Sequence, residues 1–232
     1  MKPYDHSVTY KKLKLRNIPH ILRLKKIIST LHSHIRDKNS LKNYGDFGCS
    51  NGFITNLVMK NLKPYNVYGY DHSIDNIKIA KNKYSKINFD YVDLNQSNIS
   101  NFPRFDLITC FETLEHVPDI NIALQNLLKL SEENGIIFLS VPVEVGMIGI
   151  LKFIIKMLYG YNLNELNTTR LNYFTCLVGS RGISQFRSSK RDGYGTHFGF
   201  DYNQVEKYLH SNDIAFESFT YFTTRFVIIN NL

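Results

Sequence analysis

"DFGCSNG", residues 46 to 52, lies between an apolar run and an amphipathic one and decides how the chain is read. The run before it, "YGDFG", reads as a short buried strand. The run after it, "FITNLVMKNL" (53–62), has helical spacing. Gly48 and Gly52 let the backbone approach a ligand closely, and a helix that starts after Gly52 presents free N–H groups. A turn that binds nicotinamide dinucleotides would read G-x-G-x-x-G. The spacing here is Gly48-Cys-Ser-Asn-Gly52, which argues against a nicotinamide-dependent reductase.

The same rhythm continues outward. "NVYGYD" (66–71) predicts a second strand, and "SIDNIKIAKNKY" (73–84) a helix with Ser73 as N-cap. "INFDYVDL", "FDLITC" and "GIIFLSVPV" predict three more strands, with the helix "DINIALQNLLKLS" before the last. Alternating strands and helices with short links imply an α/β fold with a doubly wound, mostly parallel sheet. Right-handed crossovers bring the strand carboxyl ends to one edge, where ligands bind. Those ends carry suitable groups in order. Asp71 offers a carboxylate to a ribose diol, and Asp93 with Leu94 offers an acceptor and an apolar wall. Thr109 and Cys110 end the fourth strand. Each acid taken singly is also an ordinary turn or cap residue.

The segments "YGDFGCSNG", "NVYGYD", "YVDL", "FDLITCFETLEHVPD" and "NGIIFLSVP" together resemble class I S-adenosylmethionine-dependent methyltransferases, especially the O-methyltransferases of ubiquinone biosynthesis. The likeness covers residues 43–143, and "THFGFDYNQVEKYLHSND" extends it to about 213. It implies a Rossmann-like, seven-stranded sheet with an antiparallel last strand, "FVIIN", and S-adenosyl-L-methionine as cofactor. It also implies cofactor contacts at Asp46, Gly48, Cys49, Gly52, Asp71, His72, Asp93, Leu94 and Cys110. Ser50 stands where that family's loop has its middle glycine.

"CFETLEHVPD" (110–119) follows the fourth strand. One helical turn there would set Glu112, Glu115 and His116 on one face. Three readings stay open. The pattern E-x-x-E-H resembles metal-dependent members of the superfamily, with His197 as a fourth ligand. Glu112, Glu115, His116 and His197 would then hold Mg²⁺, Mn²⁺ or Zn²⁺ and acidify an acceptor hydroxyl. Alternatively Glu115, His116 and His197 do acid–base work without metal, since imidazole changes charge near neutral pH. Or the residues only cap a turn and pack beneath the cofactor.

The rhythm breaks after Val143. Residues 144–195 are expected to form a helical lid over an acceptor, within one methyltransferase domain. Its parts are a cap helix region (1–42), the core (43–143), the lid, and a C-terminal helix with strands (196–232). The cap helix is read from "IPHILRLKKIISTLHSHIR". "MIGILKFIIKMLY" is too short to span a bilayer. It reads as a buried lid helix, or as one lying in a membrane interface with Lys152 and Lys156 reaching lipid phosphates. Arg181, Arg187, Lys190 and Arg191 suit an anionic group on the acceptor, and Tyr161, Tyr173 and Tyr194 suit stacking on a ring.

The formal net charge is +8, and three unevenly spaced cysteines argue against a disulfide framework or zinc knuckle. With the polar, basic start, these features predict a cytoplasmic protein, peripheral at the inner membrane face if residues 147–159 touch lipid. The expected reaction is O-methylation of a small molecule, a glycan or a lipid-linked intermediate. RNA 2′-O-methylation and a non-catalytic binding module are the alternatives. No basic-aromatic stretch reads as an RNA platform.

Overall fold

The structure is a computed structural model and describes residues 17–35, 41–97, 99, 101–158, 168–179, 182–187 and 198–230. Within them the order is α1 (Ile18–His34), β1 (Asn43–Phe47), α2 (Phe53–Leu62), β2 (Asn66–Asp71), α3 (Ile74–Lys83), β3 (Asn88–Tyr91) and β4 (Phe105–Phe111). Then follow α4 (Ile120–Leu130), β5 (Ser131–Pro142), α5 (Gly146–Leu158), α6 (Arg170–Val178), a 3-10 turn (Ile183–Phe186), α7 (Asn203–Ser211), β6 (Phe216–Tyr221) and β7 (Thr224–Asn230).

Seven strands form one sheet in the order β3-β2-β1-β4-β5-β7-β6. β1 to β5 are parallel, and β7 inserts antiparallel between β5 and β6. The strand order reverses between β1 and β4, which opens a crevice at their carboxyl ends.

The central strands are mostly apolar because helices cover both faces of the sheet. Neighbouring residues therefore serve opposite cores. Leu107 and Phe111 face the side built by Ile27 and Leu31 of α1 with Val58 and Leu62 of α2. Ile108 and Cys110 face the side built by Ala123, Leu124 and Leu127 of α4 with Val205 and Leu209 of α7. Ser73 caps α3 as its sequence predicts, accepting from the Asn76 N–H at 3.3 Å. Asp119 caps α4, accepting from the N–H groups of Asn121 and Ile122 at 2.8 and 3.2 Å.

The insertion builds a small third core. Phe153 of α5 packs with Tyr173, Cys176 and Leu177 of α6 and with Ile183, Phe186 and Phe198. Tyr161, Arg181, Lys190, Arg191, Tyr194 and His197 lie outside the described residues. Among the described residues no helix is long and apolar enough to cross a membrane.

Candidate cofactor and acceptor site

A cleft opens at the carboxyl edge between β1 and β2. Phe47, Gly48, Tyr70, Asp71 and His72 line one side, and Val92, Leu94, Thr113 and Val117 the other. Its floor is the glycine turn. Gly48 has φ +82° and Gly52 φ +74°, in the left-handed region that favours glycine. The N–H groups of Gly48 and Cys49 both donate to the Tyr70 carbonyl, at 2.7 and 2.9 Å, folding the turn over the end of β2. A methyl group at Gly48 would collide with the Thr113 hydroxyl, so this turn and the β4 turn touch at closest approach.

Asp71 joins the two sides. Its Oδ2 accepts from the Ser50 N–H at 2.8 Å and its Oδ1 from the Ser73 N–H at 2.8 Å. Each oxygen of an ionised carboxylate has a second lone pair, so the pair can still receive a vicinal diol from the cleft. Ser50 holds φ +49°, and its Oγ is buried without a hydrogen-bond partner among the described residues. That is the strain expected of serine at a glycine position.

The residues expected to touch cofactor divide into two groups. Gly48, Asp71, His72 and Leu94 line the cleft, whereas Asp46, Cys49, Gly52, Asp93 and Cys110 do not. Asp46 points into the protein: its two oxygens accept from the hydroxyls of Thr55 and Thr109, at 2.6 and 2.7 Å. Burial outweighs those bonds and pushes its carboxyl up to about 6. Asp46 thereby ties α2 and β4 to β1 and positions the turn from behind. Gly52 seats against Phe89, and the Cys49 thiol is buried, with burial raising its pKa. Asp93 Oδ1 accepts from the Asn95 N–H at 2.8 Å and so shapes the turn that presents Leu94. Cys110 alternates away from the cleft into the α4-side core.

Phe47, Tyr70, Val92, Thr113 and Val117 complete the lining and were not anticipated. They are immediate neighbours of the predicted residues or lie on the "ETLEHV" turn. Apolar strand-end residues read as core until the crevice is seen.

That turn also departs from expectation. It is not a helical turn presenting three ligands. Glu112 has φ +49°, and its Oε2 lies 2.6 Å from Nη1 of Arg23 on α1. Ser140 Oγ donates to its Oε1 at 3.4 Å. Glu115 is fully buried, and burial first, then the nearby Glu112 carboxylate, raise its pKa well above the usual carboxylate range. The metal reading also names His197, which lies outside the described residues. Among the described residues no three His, Cys, Asp or Glu side chains are arranged to hold an ion. Arg23 neutralises the Glu112 carboxylate. His116 stands between Thr113 and Val117, its side chain 38% exposed, with Nε2 3.9 Å from Glu115 Oε1.

Arg187 is likewise not presented to an acceptor. Its Nη2 donates to the carbonyls of Leu114, Glu115 and Val117 at 3.3, 3.1 and 2.7 Å, clamping the turn from the inserted segment. Tyr173 is buried in the third core, its hydroxyl accepting from the Gly199 N–H at 3.1 Å, which removes it as a stacking platform.

A glycine turn at a strand-order reversal, a carboxylate after the second strand and an apolar slot beyond it define a nucleoside-binding α/β domain of the methyltransferase kind. The chain belongs to the family described as "Methyltransferase domain", which matches residues 38–168, and its class is that of the class I S-adenosylmethionine-dependent methyltransferases. Among curated relatives, the "Ubiquinone biosynthesis O-methyltransferase" of Rickettsia bellii is 31% identical over 120 residues, covering 51% of this chain and 49% of that protein. The protein of the same name from Coxiella burnetii is 34% identical over 99 residues, 41% of each. The chain thus matches about half the length, or less, of these relatives.

Two solved structures share the fold. Magnesium protoporphyrin IX methyltransferase from Synechocystis PCC 6803, with bound SAH, superposes with a TM-score of 0.62 at 14% identity, covering 97% of this chain and 92% of that one. An S-adenosylmethionine-dependent methyltransferase from Clostridium acetobutylicum gives 0.61 at 15% identity, covering 97% and 96%.

Proposed function

We propose that the protein transfers a methyl group from S-adenosylmethionine to a hydroxyl of a small molecule, glycan or lipid-linked intermediate. The observation that carries this reading is the cleft in which Asp71, the left-handed Gly48 turn and the Leu94 wall converge. The donor set fits the cofactor: a doubly anchored carboxylate for a ribose diol, and Tyr70, Val92 and Leu94 as apolar walls for a purine. The bound cofactor would supply a methyl group on a sulfonium, open to in-line displacement. Oxygen as the acceptor atom is supported by the likeness to the O-methyltransferases of Rickettsia and Coxiella.

Displacement at a sulfonium needs alignment and a nucleophile relieved of its proton. In this reading His116 removes that proton. It is part-exposed on the turn whose neighbours Thr113 and Val117 line the cleft. Glu115 Oε1 lies 3.9 Å from its Nε2, and Arg187 donates to the carbonyls of Glu115 and Val117 on either side of it. No metal step is invoked, because the described carboxylates are committed to Arg23 and to the interior.

The test is calorimetric binding of S-adenosylhomocysteine, followed by methyl transfer to a panel of diols, catechols, glycans and lipid-linked sugars. Micromolar binding and transfer to at least one hydroxyl, lost in His116→Ala, are expected. Absence of cofactor binding would overturn the reading.

A further inference from the structure

One wall of the cleft is made of two turns that the sheet does not join. Val92 and Leu94 follow β3, and Thr113 and Val117 follow β4. β2 and β1 stand between those strands, so their carboxyl ends are three strand spacings apart, about 14 Å. Apolar packing brings the two turns together: Val92, Leu94, Leu114 and Val117 share the α4-side core. Such packing is non-directional and sets no register. Two asparagines supply it. Asn126 of α4 is 2% exposed, and its Nδ2 donates to the carbonyls of Leu94 and Gln96, at 2.8 and 3.0 Å. Both of its amide hydrogens are thereby spent on the turn after β3. An apolar residue at 126 would leave those two carbonyls without these donors. Asn95, next to Leu94, bonds reciprocally to the residue that ends the other turn. Its Nδ2 donates to the Asp119 carbonyl at 2.7 Å, and its Oδ1 accepts from the Asp119 N–H at 3.1 Å. The Asn95 N–H donates to Asp93 Oδ1 and the Gln96 N–H to the Asp93 carbonyl, at 2.8 and 3.1 Å, so residues 93–96 form one tight unit.

We propose that Asn95 and Asn126 form a clasp that sets the purine end of the cofactor cleft. Both are positioning residues, because neither lines the cleft and both act through Leu94, which does. The two apolar walls are held by different means. Tyr70 lies within β2, paired to β1 and β3, and its ring stacks on Phe47 at 4.9 Å. Leu94 lies beyond the end of β3, which stops at Tyr91. No ladder bond of that strand reaches it, so its position is set by the bond from Asn126 to its own carbonyl and by the bonds of Asn95 to Asp119. The diol end of the cleft is anchored separately, where Asp71 accepts from the Ser50 and Ser73 amides. Opening the clasp therefore loosens the purine wall and leaves the ribose carboxylate in place. The inference rests on the cofactor reading given above and names the residues that set the width of its purine slot.

The experiment compares binding of S-adenosylhomocysteine to the full chain and to Asn95→Ala. Calorimetry gives the affinity. Saturation-transfer NMR reads the purine protons of the bound ligand separately from those of its ribose and amino-acid tail. Asn95 is part-exposed on a turn, so its alanine variant leaves the core intact and decides the question. Affinity is expected to fall about tenfold, the scale of two lost hydrogen bonds, with the purine signals weakening relative to the ribose signals. Asn126→Ala, which empties a buried position, is expected to show the same skew toward ribose and tail. Unchanged affinity in Asn95→Ala would overturn the proposal. So would a fall in which purine and ribose signals weaken in proportion, because the asparagine would then support the cleft as a whole. Wild-type protein that does not bind the ligand would overturn the cofactor reading itself, whereas a loss confined to the variants bears on the clasp.

Discussion

Asp46→Asn isolates the cost of the carboxylate that holds the cofactor turn from behind. Asp46 is 3% exposed, its oxygens are bonded to Thr55 and Thr109, and its carboxyl titrates at about 6 against an ordinary 3.8. The folded state therefore binds the proton more tightly than the unfolded chain does. Its contribution to stability is complete below about pH 4 and is lost as pH rises through about 6. A gap of roughly two pH units corresponds to ~3 kcal/mol, all of it expressed by pH 8. Asparagine has the shape of the protonated acid and can bond both threonines without charge. We expect Asp46→Asn to be ~1–3 kcal/mol more stable than wild type at pH 8 and nearly equal to it at pH 4. Urea unfolding followed by circular dichroism at several pH values measures the difference directly. Taking the difference also cancels Glu115, which is raised in the same direction in both proteins. Affinity for S-adenosylhomocysteine should change by less than about tenfold, because the side chain faces the threonines and not the cleft. A variant less stable than wild type at pH 8, or a difference that does not vary with pH, would refute the reasoning.

Three further outcomes are expected. Asp71→Ala removes both acceptors for a diol as well as the anchor of the Ser50 and Ser73 amides. Its S-adenosylhomocysteine affinity should drop at least ~100-fold in calorimetry, and an unchanged value would take Asp71 out of the site. His116→Ala should keep cofactor affinity while turnover falls ~10²- to 10⁴-fold, and full activity would leave the histidine with a packing role only. Arg187→Met deletes three hydrogen bonds to the 114–117 turn. It should cost ~2 kcal/mol in urea unfolding and lower turnover more than cofactor affinity; equal stability would mean that the turn holds without its clamp.

Much of the site was legible in the sequence because backbone requirements leave local marks. Gly48 and Gly52 sit where the left-handed backbone is needed, and Asp71 sits at a strand end that an alternating pattern locates to the residue. The helix α2 was bounded correctly by its apolar spacing, and Ser73 by its capping chemistry. The antiparallel strand "FVIIN" came from the family resemblance; it is antiparallel as expected, and the structure sets it between β5 and β6.

The sequence by itself determined the order of elements, the sheet edge that carries the site, and the residues at its strand ends. Those follow from hydrophobic periodicity and from the special backbone of glycine, which act over a few residues. Only the tertiary structure decided where the polar tips of long or buried side chains go. Arg23 meets Glu112 across 89 positions, and Arg187 reaches the carbonyl of Val117 across 70. Periodicity places a Cα on a face, but a lysine stem of four carbons can turn its charge either way. Glu144, buried beside Lys152 and Lys156, drew both inward because a carboxylate inside the protein is tolerated only when it is paired. The same cost of burying charge set Asp46 against two threonines.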